Sequence, residues 1–69
     1  MIEIRELTIQ DLGREVIYHP YGEKEKEGMI TDWNNDVIFI RYGSDVHSKG
    51  TYPWNLDFVN KQKKEAHDA

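Results

Sequence analysis

The sequence predicts a mostly β fold: a small barrel of five to six short antiparallel strands, with a short helical turn near residues 8–12 and a 3₁₀ turn near 53–55. Three observations lead there. Apolar and polar residues alternate in short runs instead of recurring every three or four positions. Clusters of Gly, Pro, Asn and Asp interrupt those runs at tight intervals. Closing several short strands on themselves also removes the exposed edges that an open sheet leaves available for aggregation.

Each element has a local reason. In MIEIREL, Ile2 and Ile4 alternate with Glu3 and Arg5, the pattern of a strand over residues 2–6. TIQDLG follows, with Thr8 three residues ahead of Asp11, a helix-start signature, and with Gly13 free to end the turn in a left-handed conformation. REVIYH, residues 14–19, is a second extended run. Pro20 and Gly22 then break regular structure, and the Glu/Lys alternation from Glu23 to Glu27 reads as a solvated loop.

A hairpin comes next, with Gly28 to Trp33 as one strand and Val37 to Tyr42 as its partner. The second strand is rich in β-branched and aromatic residues, and Asn34, Asn35 and Asp36 between them suit a turn. Within GSDVHSKG, Val46 is expected to open a strand that Thr51 and Tyr52 carry on. Pro53-Trp54-Asn55 breaks it as a 3₁₀ turn, and Leu56 to Val59 supplies the last strand. Residues 1–59 thus read as one domain, and residues 60–69, NKQKKEAHDA, as a flexible tail with almost nothing to bury.

Size and composition narrow the function. A 69-residue chain buries only about 60% of the surface its unfolded form exposes, so its core supplies roughly 3–5 kcal/mol. It has no cysteine, which removes disulfides and thiolate metal sites and fits a reducing cytoplasm. No apolar run approaches the ~20 residues of a membrane span, and MIEIREL lacks the basic and apolar regions of a signal peptide. The net charge of −4 disfavours nucleic acid, whose binders usually carry a basic surplus.

From Gly13 to Val59, about two thirds of the chain, the sequence resembles SH3-like barrels. It is similar to the Tudor and KOW types, and to small uncharacterised members found in bacteria and their phages. The segments that carry the resemblance are GREVIY, EGMI, VIFIRYG and GTYPWNLDFV. The last also resembles the Gly-x-x-Pro-x-Asn-Tyr-Val ending of SH3 domains: Gly50, Pro53 and Asn55 match, and Leu56 stands in the tyrosine position. The resemblance implies that Pro53 and Asn55 line a groove for proline-rich peptides, with Tyr18 and Tyr21 in place of the first aromatic pair. The spacing of VIYHPY departs from that family, and its paired tryptophans are missing, with Trp33 ahead of the turn instead.

Chemistry-bearing patterns are sparse. Asp32, Asn34 and Asp36 copy the first ligands of a calcium loop, but Val37 and Gly43 occupy the places that need Gly and Glu. His19, His47 and His67 lack the spacing of a zinc pair. Asp45 and His47 have neither a positioned nucleophile nor an orienting group. No Gly-rich phosphate loop follows a strand. Lys61, Lys63 and Lys64 form a short basic knot diluted by Glu65 and Asp68. The chain therefore reads as non-enzymatic, with no cofactor and no metal.

Apolar alternation points to surfaces. With Arg41 facing water, period two sends Val37 and Phe39 outward and Ile38, Ile40 and Tyr42 inward. With Ile30 inward on the partner strand, Met29, Thr31 and Trp33 face outward. Met29, Trp33, Val37 and Phe39, with Arg41 nearby, make an outer apolar patch with the composition of a protein-contact surface, the alternative being that the N-terminal strand or the tail covers this face. Tyr52 and Trp54, flanking Pro53, suit a partner or a stacked base. The expected function is a cytoplasmic protein-interaction module of bacterial or phage origin. A nucleic-acid accessory domain of KOW or Tudor type is the alternative, and membrane association is not expected.

Overall fold

The computed structural model describes residues 1–59. The tail expected over residues 60–69 lies outside the described residues. Five strands form one antiparallel sheet: β1 (Glu15–Tyr18), β2 (Lys26–Trp33), β3 (Ile38–Tyr42), β4 (Lys49–Thr51) and β5 (Leu56–Phe58). Their order is β4-β3-β2-β1-β5. The ladder does not close, and β4 and β5 form its two edges. The helical elements among the described residues are three single 3₁₀ turns, Ile4–Glu6, Ile9–Asp11 and Pro53–Asn55.

The long β2 strand holds the sheet together. Its first half pairs with β1, from Tyr18↔Lys26 to Glu15↔Met29. Its second half pairs with β3, from Gly28↔Tyr42 to Trp33↔Ile38. Gly28 sits where the two halves overlap. A Cβ there would lie 2.6 Å from Ile40 Cγ2, 2.7 Å from the Arg41 carbonyl oxygen and 3.0 Å from the Tyr42 ring. Only glycine lets β3 and the Tyr42 ring come this close.

The hairpin between β2 and β3 turns through the polar knot. Asn34 Oδ1 accepts from the amides of Asp36 at 2.7 Å and Val37 at 2.9 Å, and the Asn34 amide donates to the Val37 carbonyl at 3.0 Å. Asparagine side chains mimic a backbone turn in this way. The predicted turn at 8–12 is also present. The Thr8 side chain accepts from the turn that follows while the Asp11 carboxylate accepts from the Thr8 amide, a reciprocal capping box. Gly13 follows with φ +85°.

The core is Ile2, Val16, Ile30, Ile38, Ile40 and Leu56, each at most 2% exposed. Ile4, Leu7, Tyr18, Trp33, Tyr42 and Phe58 pack around it. The inward facing expected for Ile30, Ile38 and Ile40 is therefore observed. Burying each such side chain contributes about 1.5–3 kcal/mol.

Three expectations are corrected. Residues 2–6 do not form a strand. Ile2 enters the core, its amide donating to the Pro53 carbonyl at 3.2 Å, and Ile4–Glu6 turns as a 3₁₀ element. Ile4 and Leu7 both pack on the core, and a spacing of three places residues on one side of a 3₁₀ turn. Val46 is 78% exposed in the β3–β4 loop and opens no strand.

The third correction concerns Trp33. The β2–β3 register shifts between Ile30 and Asp32, so Ile30 faces Ile40 but Asp32 faces Phe39. Thr31 is the extra residue of a bulge. Its hydroxyl donates to the Phe39 carbonyl at 3.1 Å and shares a 2.6 Å hydrogen bond with Ser48. One inserted residue reverses the alternation beyond it. Trp33 thereby pairs with Ile38 and packs against the core instead of facing outward.

Candidate functional site

A concavity lies where the start of β2 faces the β3–β4 loop and the chain entering the last 3₁₀ turn. It is a cleft of about 560 Å³. Tyr18, Tyr42 and Tyr52 line it together with Thr51 and Asn55. Lys26 and Glu27 from β2, and Ser44, Asp45 and Lys49 from the opposite side, supply its polar groups.

Register brings the tyrosines together. Tyr18 pairs with Lys26 and Tyr42 with Gly28, two positions apart on β2. Their rings meet at 5.9 Å between centroids with a 47° tilt. The Tyr42 hydroxyl shares a 2.8 Å hydrogen bond with Thr51 Oγ1. Burial pushes the Tyr42 phenol above its ordinary value, partly offset by the Thr51 hydrogen bond and reinforced by Tyr18. Tyr42 is thus a neutral, fixed part of the wall.

Tyr52 and Trp54 extend this aromatic surface outward. They flank Pro53, which is buried and starts the 3₁₀ turn. Their rings stack with centroids 4.6 Å apart and planes 7° from parallel. They remain 55% and 58% exposed. A buried proline with fixed φ holds the short segment, so the stack stands on a rigid base. Asn55 completes the turn, and its carbonyl accepts from the His19 amide at 2.9 Å.

The six residues singled out from sequence fall in three places. Tyr52 lines the cleft, and Trp54 stacks on it outside the lining. Met29, Phe39 and Arg41 lie on the outer face of the sheet, with Met29 paired to Arg41 and Phe39 to Gly50 on β4. Phe39 is only half-exposed, and a Cβ on Gly50 would sit 3.4 Å from its ring and 3.2 Å from Val37. Trp33 is on the core side, away from that face. Sequence reading missed Tyr42 and Lys26 as cleft residues. A glycine opposite an aromatic residue in a strand pair is the one local hint.

Other polar groupings are structural. Arg14 lies 3.6 Å over the Phe58 ring and pairs with Asp11 at 3.0 Å. Asp11 is held below the usual carboxylate range, first by the Thr8 amide and then by Arg14. Asp45 and His47 are exposed, and no side-chain hydrogen bond or ion pair joins them. Among the described residues no three His, Cys, Asp or Glu side chains gather as a metal site. No helix among them is long and apolar enough to cross a membrane. Comparison with protein-family models, with curated proteins and with solved structures finds no match to this chain.

Proposed function

We propose that the chain is a non-catalytic protein-interaction module that uses the tyrosine-lined cleft and the adjoining Tyr52–Trp54 stack as its contact surface. The observation that carries this reading is the continuity of exposed aromatic surface with a concavity. Tyr52 belongs both to the stack and to the cleft wall. Aromatic residues are enriched at contact surfaces because they bury large areas at low entropic cost.

In this reading an apolar or aromatic side chain of the partner enters between Tyr18, Tyr42 and Tyr52. Lys26 and Lys49 alternate with Glu27 and Asp45 around it and orient the partner's polar groups. The net charge of −4 steers the encounter. Met29, Phe39 and Arg41 form a second, smaller contact surface on the outer face. Kinship with SH3-like barrels of Tudor or KOW type belongs to the same proposal. It is supported by the strand order and by the 3₁₀ turn that carries the chain from edge strand β4 to edge strand β5. A cytoplasmic setting in a bacterium, or an origin in its phage, completes it.

One observation favours a second reading. An exposed stack beside Lys26 and Lys49 is also a platform for single-stranded bases. The two readings separate by NMR titration of labelled protein with single-stranded and duplex oligonucleotides at low salt. Protein recognition predicts a flat spectrum. Shifts centred on Tyr52 and Trp54 that vanish with added salt support nucleic acid, because phosphate contacts weaken steeply with salt.

A further inference from the structure

His19 opens the loop between β1 and β2, and both of its ring nitrogens face carboxylates. Nδ1 is 3.1 Å from Glu25 Oε2 in the same loop, and Nε2 is 3.2 Å from Asp57 Oδ2 on β5. The other oxygen of Asp57 takes the N-terminal ammonium of Met1. The His19 amide is anchored to the Asn55 carbonyl of the last 3₁₀ turn. These groups come from the loop, β5, the N-terminal segment and the 3₁₀ turn.

A neutral imidazole has one N–H donor and one lone pair. Facing two carboxylates, it satisfies one and repels the other. Only the imidazolium donates to both. Charge leads to the same conclusion. Two carboxylates, one ammonium and one imidazolium sum to zero, whereas a neutral ring leaves the cluster at −1.

We propose that His19 is a protonation-operated clasp for the β1–β2 loop. When charged, it ties Glu25 to the β5 wall; when neutral, it keeps Asp57 and releases Glu25. Asp57 is the retained partner because it sits on a strand and is shared with the ammonium. Glu25 sits in the loop, with its side chain 62% exposed. The loop is joined at both ends to the candidate site, since Tyr18 precedes His19 and Lys26 follows Glu25, and both line the cleft. The clasp thus sets how closely one wall of the cleft is held. It stands whatever occupies the cleft, because it concerns the loop alone.

The test is NMR on the full chain from about pH 5 to pH 8, the range in which histidine changes charge. Backbone order in residues 20–25 is followed beside the His19 ring signals. Loop order is expected to fall as His19 loses its proton, the clasped-to-released ratio changing about two- to five-fold, as fits exposed ion pairs. Glu25→Gln should abolish this response while leaving the His19 titration visible. His19→Gln should leave the loop equally mobile at both ends of the range. Amides of the Asn34–Val37 turn serve as an internal control for global unfolding. Constant loop order while His19 titrates overturns the proposal, and so does a full response in Glu25→Gln.

Discussion

Tyr52 and Trp54 stack almost parallel across the buried Pro53, with ring centroids 4.6 Å apart. Two large aromatic side chains more than half exposed contribute little to a core. Their arrangement is therefore better explained by what they present than by what they stabilise. Trp33, by contrast, is turned onto the core by the bulge at Thr31. The two tryptophans of this chain have opposite roles, and mutation separates them.

Trp54→Ala should lower stability by less than about 1 kcal/mol, in line with surface substitutions that leave no cavity. Trp33→Ala should cost roughly 2–4 kcal/mol, near the range for truncating a buried aromatic residue. In a domain stabilised by about 3–5 kcal/mol the second change unfolds much of the population. Urea denaturation followed by circular dichroism measures both. Equal costs would mean that Trp54 is a core residue.

Gly28→Ala tests the close approach that shapes the cleft. The added methyl meets a backbone oxygen at 2.7 Å and a side-chain carbon at 2.6 Å. Backbone cannot swing aside as a side chain tip does, so β3 must move. The expected cost is about 1–3 kcal/mol, the usual range for overpacking, with amide shifts concentrated at Ile40, Arg41 and Tyr42. A spectrum unchanged at these residues contradicts the packing described.

Acid should weaken the fold through two carboxylates. Asp57 is held below its ordinary 3.8 first by the hydrogen bond from the N-terminal ammonium, with His19 contributing, and Asp11 chiefly by the Thr8 amide and Arg14. A folded value below the unfolded one means stability that is present above pH 3.8 and lost as pH falls through the lower folded value. The Asp57 side chain is 53% exposed and the Asp11 side chain 15% exposed, and ion pairs at a protein surface contribute roughly 0.2–1 kcal/mol each. Urea midpoints at pH 5 and pH 2.5 should differ less in Asp57→Asn and Asp11→Asn than in the wild type. An unchanged difference would assign acid sensitivity to other groups.

Much of the fold was legible where local chemistry decides it. Thr8 and Asp11 mark a capped turn, Asn34 a hairpin corner, and Pro53 a 3₁₀ start, each within four residues of sequence. Ile30, Ile38 and Ile40 follow simple alternation. Trp33 was not legible, because a single bulged residue reverses every facing beyond it and carries no sequence mark of its own. The N-terminal segment misled because Ile2 and Ile4 alternate like a strand, whereas Ile4 and Leu7 share the face that packs. The cleft was legible only in part. Tyr52, Trp54 and Asn55 are neighbours in sequence, but Tyr18 and Tyr42 meet only through the β1–β2–β3 register.

The most direct test of the cleft is site-specific photocrosslinking. A photoreactive phenylalanine replaces Tyr52 in one sample and Tyr21, which is 99% exposed and outside the cleft lining, in another. Each is irradiated in lysate of the cells that make the protein. A discrete protein adduct from position 52, resistant to nuclease, absent from position 21 and lost in the Trp54→Ala background, is the expected result. No adduct from position 52, or one that nuclease removes, contradicts a protein-binding cleft.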